Sequence, residues 1–161
     1  MRPKITLKLA TSLDGKIALA NGQSQWVTSD AARAHGRYLR AEHDAIAIGA
    51  VTAEFDNPLL TSRVPGQKDP VRVVFDSTLK LKVESQLVTT AQETPTWVFS
   101  RAGSEAKAEI LREHGVIVHN VTDANGLSLE EALSIMSQAG FLIGRRRRDI
   151  DCEFYTGRAV R

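Results

Sequence analysis

The sequence predicts an α/β fold built around a mostly parallel sheet. Short apolar segments recur along the chain, and segments with the apolar period of an amphipathic helix alternate with them. Most of the apolar segments are shorter than a buried helix, which is typical of strands covered on both faces of a parallel sheet. The 161 residues, 42% of them apolar, suit one globular domain with a core large enough for a ligand cleft.

The chain begins with a predicted strand, a turn and a helix. Residues 5–10 alternate apolar and polar side chains, which indicates a strand, and residues 12–16 have the composition of a turn. Ser29 or Asp30 is the expected N-cap of a helix over residues 31–42.

Four further strands and two further helices follow. Short apolar runs predict strands at residues 45–49, 71–76, 96–100 and 116–119, and a helix at residues 105–114 separates the last two. Ser128 and Glu131 match a capping box. They open a predicted helix whose apolar side contains Ala132, Leu133, Ile135 and Met136.

The composition argues against several classes of protein. The N-terminus lacks the apolar core of a signal peptide, and no apolar run approaches the roughly 20 residues of a membrane span. Cys152 is the single cysteine, so neither an internal disulfide nor a thiolate zinc cluster is expected. We therefore expect a soluble, cytoplasmic protein.

Hydrolytic and metal chemistry are also disfavoured. No two histidines have the i,i+4 spacing, and no Ser/His/Asp set can be proposed; the histidines are His35, His43, His114 and His119. A G-x-G-x-x-G fingerprint is absent, which counts against an N-terminal Rossmann cofactor site. No metal site is predicted.

Polar loops that follow strands are the candidate binding sites, because ligands of open α/β sheets lie beyond the C-terminal strand ends. A surface hairpin with a packing tryptophan explains residues 21–26 equally well, and a turn with a solvated arginine explains residues 52–63. Lys8, Arg40 and Arg63 could bind a phosphate, since the planar fork of arginine suits bidentate contact. Spacing alone favours three ordinary surface charges.

Eight sequence blocks, taken together, resemble the reductase domain of the bifunctional riboflavin-biosynthesis deaminase/reductase. They include ITLKLATSLDGKIA at residues 5–18, GQSQWVTS at 22–29, DNPLLTSR at 56–63 and PVRVVFDS at 70–77. The shorter blocks between them are residues 39–41, residues 44–46, Gly49 and Thr52. The resemblance covers roughly residues 1–140 and implies a dihydrofolate-reductase-like fold, with a mostly parallel sheet flanked by helices and its C-terminal part missing.

The resemblance also implies an activity and a set of site residues. It implies the reduction of 5-amino-6-(5-phosphoribosylamino)uracil by NADPH, in which hydride reaches C1′ of the sugar through an open-chain imine. The implied cofactor contacts are Ala10, Trp26, Thr52, Asp56 and Ser77. The implied substrate contacts are Lys8, Ser24, Arg40, Leu60 and Arg63. No side chain is assigned as an obligate acid or base.

Residues 141–161 depart from the pattern of the family. Where the family has a glutamate and a glycine-rich turn that binds cofactor phosphate at a helix N-terminus, this chain has four arginines at residues 145–148. If these arginines are encoded CGG, the frame one base later allows a run of glycines. We therefore predict an incomplete reductase domain over residues 1–140 and an irregular, frameshifted tail over residues 141–161, with a sequencing error as the alternative origin.

Other interpretations stay open at this point. The arginine run could be a solvated tail or a polybasic patch, and we predict neither nucleic-acid nor membrane binding from it. The chain could be an inactive remnant of the reductase, or a pterin or folate reductase of the same fold. The phosphate-type arginines Arg40 and Arg63 argue against the last of these. The resemblance suggests a homodimer.

Overall fold

In a computed structural model, the chain is described over residues 4–20, 29–101, 103, 105–124 and 126–139, and over the backbone of residues 151–155. The helices are α1 Asp30–Glu42, α2 Ala50–Asp56, α3 Gln86–Thr89, α4 Glu105–Glu113 and α5 Leu129–Gln138. The strands are β1 Lys4–Lys8, β2 Ala45–Gly49, β3 Val71–Phe75, β4 Thr96–Ser100, β5 Ile117–Asn120, β6 Thr122–Asp123, β7 Gly126–Leu127 and β8 Asp151–Tyr155.

Within these described residues, six strands form one sheet in the order β1-β8-β2-β3-β4-β5. Every pairing in this sheet is parallel, so all six carboxyl ends lie at one edge. Strands β6 and β7 form a separate antiparallel pair. The predicted α/β class with a mostly parallel sheet is confirmed.

The two faces of the sheet bury two different apolar clusters. Alternate residues of β2 point to opposite faces, so Ile46 and Ile48 join one cluster while Ala45 and Ala47 join the other. The first cluster packs against α2, α3 and α4, and the second packs against α5. Because both faces of the sheet are covered at β2, nearly every residue of this strand is apolar.

The N-caps of two helices agree with their sequence signals. Ser29, one of the two expected candidates, caps α1, and its hydroxyl accepts a hydrogen bond from the Ala32 N–H at 3.3 Å. The Ser128 hydroxyl accepts from the Glu131 N–H at 3.2 Å at the start of α5. Each hydroxyl satisfies a helical N–H that lacks a partner inside the helix.

The patterns of the sequence do not predict α2, α3, β6, β7 or β8. Helix α2 forms just before the predicted turn at residues 56–58, over residues to which no element was assigned, because seven residues are too few to show a helical period. The tail was expected to be irregular, yet residues 151–155 form β8 between β1 and β2. Its backbone pairs with both neighbouring strands and so satisfies peptide groups that would otherwise lie at open strand edges.

Two further searches cover only the described ranges. None of the helices there is long and apolar enough to cross a membrane. The same ranges contain no group of three or more His, Cys, Asp or Glu side chains that could hold a metal ion.

Candidate active site

Three of the expected cofactor contacts follow the carboxyl ends of parallel strands. Ala10 comes after β1, Thr52 after β2 and Ser77 after β3. Since these strands share one direction, the three residues lie along the carboxyl edge of the sheet. From β1 to β3 the sheet order has three strand spacings, or about 14 Å.

Helix α2 brings a fourth expected cofactor contact near Thr52. Thr52 is buried and lies one helical turn before the half-buried Asp56, so both share one side of α2. The end of the helix is fixed by Asn57, which adopts a left-handed conformation and whose side-chain oxygen accepts a hydrogen bond from the Gln86 N–H at 2.8 Å. This contact ties α2 to α3.

A second group of expected residues meets between α1 and the loop that precedes β3. The Lys8 side chain runs along Gly36 of α1, where a Cβ would lie 3.7 Å from Lys8 Cε. Arg40 lies one turn after Gly36 on the same side of α1 and donates a hydrogen bond to the Thr61 carbonyl at 3.4 Å. Strand β1, helix α1 and the loop thus bring Lys8 and Arg40 towards the 60–63 segment, and the region that these residues border is the candidate substrate cleft.

The loop that contains Leu60 and Arg63 has an unusual backbone. Both residues have positive φ, 57° and 54°, although neither is a glycine. Such conformations cost about 1–3 kcal/mol each and persist only where the surroundings fix them. Leu60 is buried in the core, whereas Arg63 is exposed. The loop therefore buries the Leu60 side chain in the core and exposes the Arg63 guanidinium group to solvent.

One carboxylate closes this loop. Asp69 Oδ1 accepts hydrogen bonds from both the N–H and the hydroxyl of Ser62, at 2.7 and 2.9 Å. Ser62 lies between Thr61, which Arg40 contacts, and Arg63. The Ser62–Asp69 contact therefore holds the segment that faces the cleft.

The buried side chain of Arg72 also holds this loop through hydrogen bonds. The Arg72 side chain is 0% exposed and donates to the carbonyls of Leu59, at 3.3 Å, and of Thr94. It also donates to Thr90 Oγ1 at 2.8 Å and to the carbonyls of Leu87 and Thr90. Burial lowers the pKa of Arg72 to about 10, and the negative charges of Asp69 and Glu93 oppose that shift.

Sequence reasoning missed both supports of the loop. The sequence presents Arg72 as one position of an apolar strand, although a single charge within such a strand already indicates a buried, hydrogen-bonded side chain. Asp69 gave no signal, because its partner Ser62 is distant enough along the chain to need the folded loop.

The expected site residues therefore form two neighbouring sets. The substrate set lies around α1 and the loop, and the cofactor set lies along the carboxyl edge of the sheet. Lys8 of the first set and Ala10 of the second are close together at the end of β1. Ser77 lies farther along that edge and its side chain is exposed. Ser24 and Trp26 lie outside the described residues.

Comparison with known proteins identifies the family. The RibD C-terminal domain family matches residues 3–142. The chain belongs to this family. The riboflavin biosynthesis protein RibD of Bacillus amyloliquefaciens is 41% identical over 142 residues, which cover 87% of this chain and 38% of that protein. The chain thus spans well under half the length of this RibD protein.

Solved structures agree with this assignment. A diaminohydroxyphosphoribosylaminopyrimidine deaminase/5-amino-6-(5-phosphoribosylamino)uracil reductase from Thermotoga maritima has a TM-score of 0.74 and 28% identity, over 96% of this chain and 39% of its own. A pyrimidine reductase-like protein from Corynebacterium diphtheriae has a TM-score of 0.77 at 18% identity, over 96% of this chain and 66% of its own. The latter supports the fold alone.

Proposed function

We propose that this chain is the reductase domain of a riboflavin-biosynthesis enzyme and reduces 5-amino-6-(5-phosphoribosylamino)uracil with NADPH. The observation that carries the proposal is the contact of Arg40 with the Thr61 carbonyl, two residues before Arg63. Arg40 therefore lies beside the loop that carries Arg63, and the family resemblance assigns both arginines to the substrate. Membership of the RibD C-terminal domain family supports the same activity.

The cleft suits a phosphorylated sugar. Arg40 and Arg63 offer planar guanidinium groups, which bind phosphate oxygens in pairs, and Lys8 adds an ammonium group. Loop closure by Asp69 and Arg72 fixes the backbone around Arg63 before the substrate arrives. A preformed site avoids the cost of ordering this loop on binding.

The carboxyl edge suits a dinucleotide. Thr52 provides a hydroxyl in the first turn of α2, Ser77 provides another after β3, and the exposed Arg101 follows β4. Hydroxyl and guanidinium donors are the groups that bind the phosphates and sugars of such a cofactor. When bound, NADPH supplies the hydride. The role of the chain is to hold the two ligands so that their reacting atoms meet near the end of β1.

Four remaining expectations belong to the same proposal. We place the incomplete reductase domain at residues 1–140 and regard residues 141–161 as a segment outside the pattern of the family. The proposal includes a cytoplasmic location. It also includes assembly as a homodimer.

The test is reduction of the pyrimidine substrate by the purified chain. We expect loss of NADPH absorbance that depends on the phosphoribosylamino substrate and is absent with its dephosphorylated form and with dihydrofolate. Arg63→Ala should raise the KM for substrate about ten- to hundredfold, since a charge-assisted contact to phosphate is worth about 1.5–3 kcal/mol. Arg37→Ala, an exposed arginine of α1, is the matched control and should leave the KM unchanged. Equal rates with the phosphorylated and dephosphorylated substrates would refute the assignment of the cleft.

A further inference from the structure

A row of apolar side chains on β1 lies in solvent. Ile5 and Leu7 are 46% and 61% exposed, and Leu9, which follows the strand, is 45% exposed. Because side chains alternate along an extended chain, these three point to the same face of the sheet. Lys8, which runs along α1, points to the opposite face. The exposed row therefore lies on the other side of β1 from the candidate substrate cleft.

The same face of the sheet is covered two strands away. Ile5 and Leu7 share their register positions, through β8, with Ala45 and Ala47 of β2. Those two alanines are 0% exposed, because the apolar cluster that packs against α5 buries them. Strands of a parallel sheet are ordinarily covered on both faces. Among the described residues, the cover of this face ends before β1.

The loop that follows β1 adds to this apolar surface. Leu13 and Leu19 of this loop are also exposed. The turn that carries Leu13 is fixed, since the Ser12 N–H donates a hydrogen bond to the Lys16 carbonyl at 2.8 Å. Five of the ten large apolar side chains that the described residues expose thus fall within residues 5–19, and these five make up the β1 patch. Single exposed apolar residues are ordinary, but a group of this size marks an interaction surface.

The area of the β1 patch fits a second copy of the chain. The exposed fractions of its five residues amount to about three fully exposed leucine side chains. At about 30 Å² for each carbon of a side chain, each copy offers about 400 Å² of apolar surface. Because about 60% of an interface is apolar, two copies would bury about 1,300 Å² in total. Specific interfaces begin at about 1,200 Å², so a second copy is sufficient to cover the patch.

The charges beside the β1 patch are self-complementary. In a two-fold dimer, the same surface of each copy is used, so a residue that contacts a different residue of the other copy makes that contact twice. Asp14 and Lys16 are both exposed in the turn that carries Leu13. About a two-fold axis, Asp14 of one copy can face Lys16 of the other. One acid and one base in the same turn therefore suit the pairing of two identical surfaces.

We propose that the β1 patch is a two-fold interface with a second copy of this chain. The inference goes beyond the proposed activity and gives the proposed homodimer a definite face. The two sheets pack face to face, with Leu7 at the centre of each apolar row. The candidate substrate cleft is on the opposite face of β1, so formation of the dimer leaves the cleft open.

Sedimentation equilibrium of the full chain between about 1 and 100 µM tests the proposal, since an interface of this size indicates a weak dimer. We expect the mass to rise with concentration from 17.6 kDa towards twice that value. Leu7→Lys places a charge at the centre of the interface and should raise the dimer dissociation constant at least about tenfold. Ile117→Lys is the matched control, because Ile117 is similarly exposed on β5 at the opposite edge of the sheet, and it should leave the constant unchanged. Circular dichroism verifies that both variants are folded.

Reversal of the two charges tests the two-fold arrangement. Asp14→Lys brings like charges together across the interface and should raise the dissociation constant several-fold. Adding Lys16→Asp to this variant should restore the original value. A double variant that dimerises no more tightly than Asp14→Lys would reject the pairing of the two charges.

Three results would overturn the proposed interface. A chain that stays monomeric at about 100 µM would assign the β1 patch to a different occupant. A dimer that Leu7→Lys leaves intact would place the interface elsewhere, and masses beyond the dimer would show an open assembly instead of a closed pair. A dimer without reduction of the pyrimidine substrate would reject the proposed function and keep this interface, whereas reduction by a chain that stays monomeric would reject the interface alone.

Discussion

The buried Arg72 provides the sharpest test of how the substrate loop is held. Replacing Arg72 by Met keeps an unbranched apolar stem but removes every donor from a side chain that is 0% exposed. The carbonyls of Leu87 and Thr90 keep other partners, namely the Thr96 hydroxyl and the Glu93 and Thr94 N–H groups. The Leu59 and Thr94 carbonyls lose their main donor.

The expected loss of stability follows from the number of carbonyls that lose their donor. Each partly buried carbonyl that loses its main donor costs about 1–3 kcal/mol, so the two together cost about 2–6 kcal/mol. Part of this loss is offset, because the variant no longer has to bury a cation. Burying a cation costs free energy, which is why the pKa of Arg72 is lowered. We expect Arg72→Met to lower the free energy of unfolding by about 3 kcal/mol.

Urea denaturation followed by circular dichroism measures this change as a shift of the midpoint at constant slope. Arg112→Met is the matched control. Arg112 pairs with Glu105 and Glu109 on the exposed side of α4, and such surface pairs contribute little to stability because water screens them. If Arg72→Met lowers the free energy of unfolding by no more than the Arg112 control does, the reasoning about the buried network is wrong.

Three further predictions follow from the site and its surroundings. Asp69→Ala removes the acceptor of both Ser62 donors, so we expect the KM for the pyrimidine substrate to rise several-fold while the affinity for NADPH stays unchanged. Burial against Trp97 and Phe99 lowers the pKa of His119 below its usual 6.5, so folding favours the neutral ring. The unfolded chain then takes up the proton first, and thermal stability should fall as the pH drops below about 6.5, whereas His119→Phe should remove this part of the pH dependence. Restoring the other reading frame after Gly140 should tighten NADPH binding about tenfold in a fluorescence titration, since a glycine-rich turn at a helix N-terminus binds phosphate.

Each of these predictions has a result that contradicts it. An equal loss of substrate and nucleotide affinity in Asp69→Ala would indicate general unfolding rather than a loosened loop. Identical pH profiles for the unmodified chain and His119→Phe would reject the role of the imidazole. Equal NADPH affinity in both reading frames would show that residues 1–140 hold the cofactor site without the restored segment.

The sequence predicts those parts of the fold that depend on neighbours along the chain. The β2 and β4 boundaries and the Ser29 and Ser128 caps follow from short apolar runs and from hydroxyl groups placed just before a helix. Family membership follows from blocks of residues whose order is too specific to arise by chance, and the match over residues 3–142 confirms it.

The parts that the sequence does not predict depend on contacts between distant residues. Positive φ at Leu60 and Arg63 is invisible in the sequence, because the usual signal for this conformation is glycine. Arg72 and Asp69 stabilise that loop through partners that only the folded chain brings near. Strand β8 occupies the space between β1 and β2, and nothing local to residues 151–155 indicates that position.

Deuterium transfer from NADPH to the pyrimidine substrate is the decisive test of the proposed reduction. The chain, in excess over the phosphoribosylamino-pyrimidine substrate, is mixed with NADPH that carries deuterium at the transferred position of C4, and the product is examined by mass spectrometry and NMR. We expect a ribitylamino product with one deuterium at C1′ from the unmodified chain, and no such product from the chain in which Arg40 and Arg63 are both replaced by Ala. A product without deuterium, or unchanged substrate in the presence of bound NADPH, would contradict this expectation.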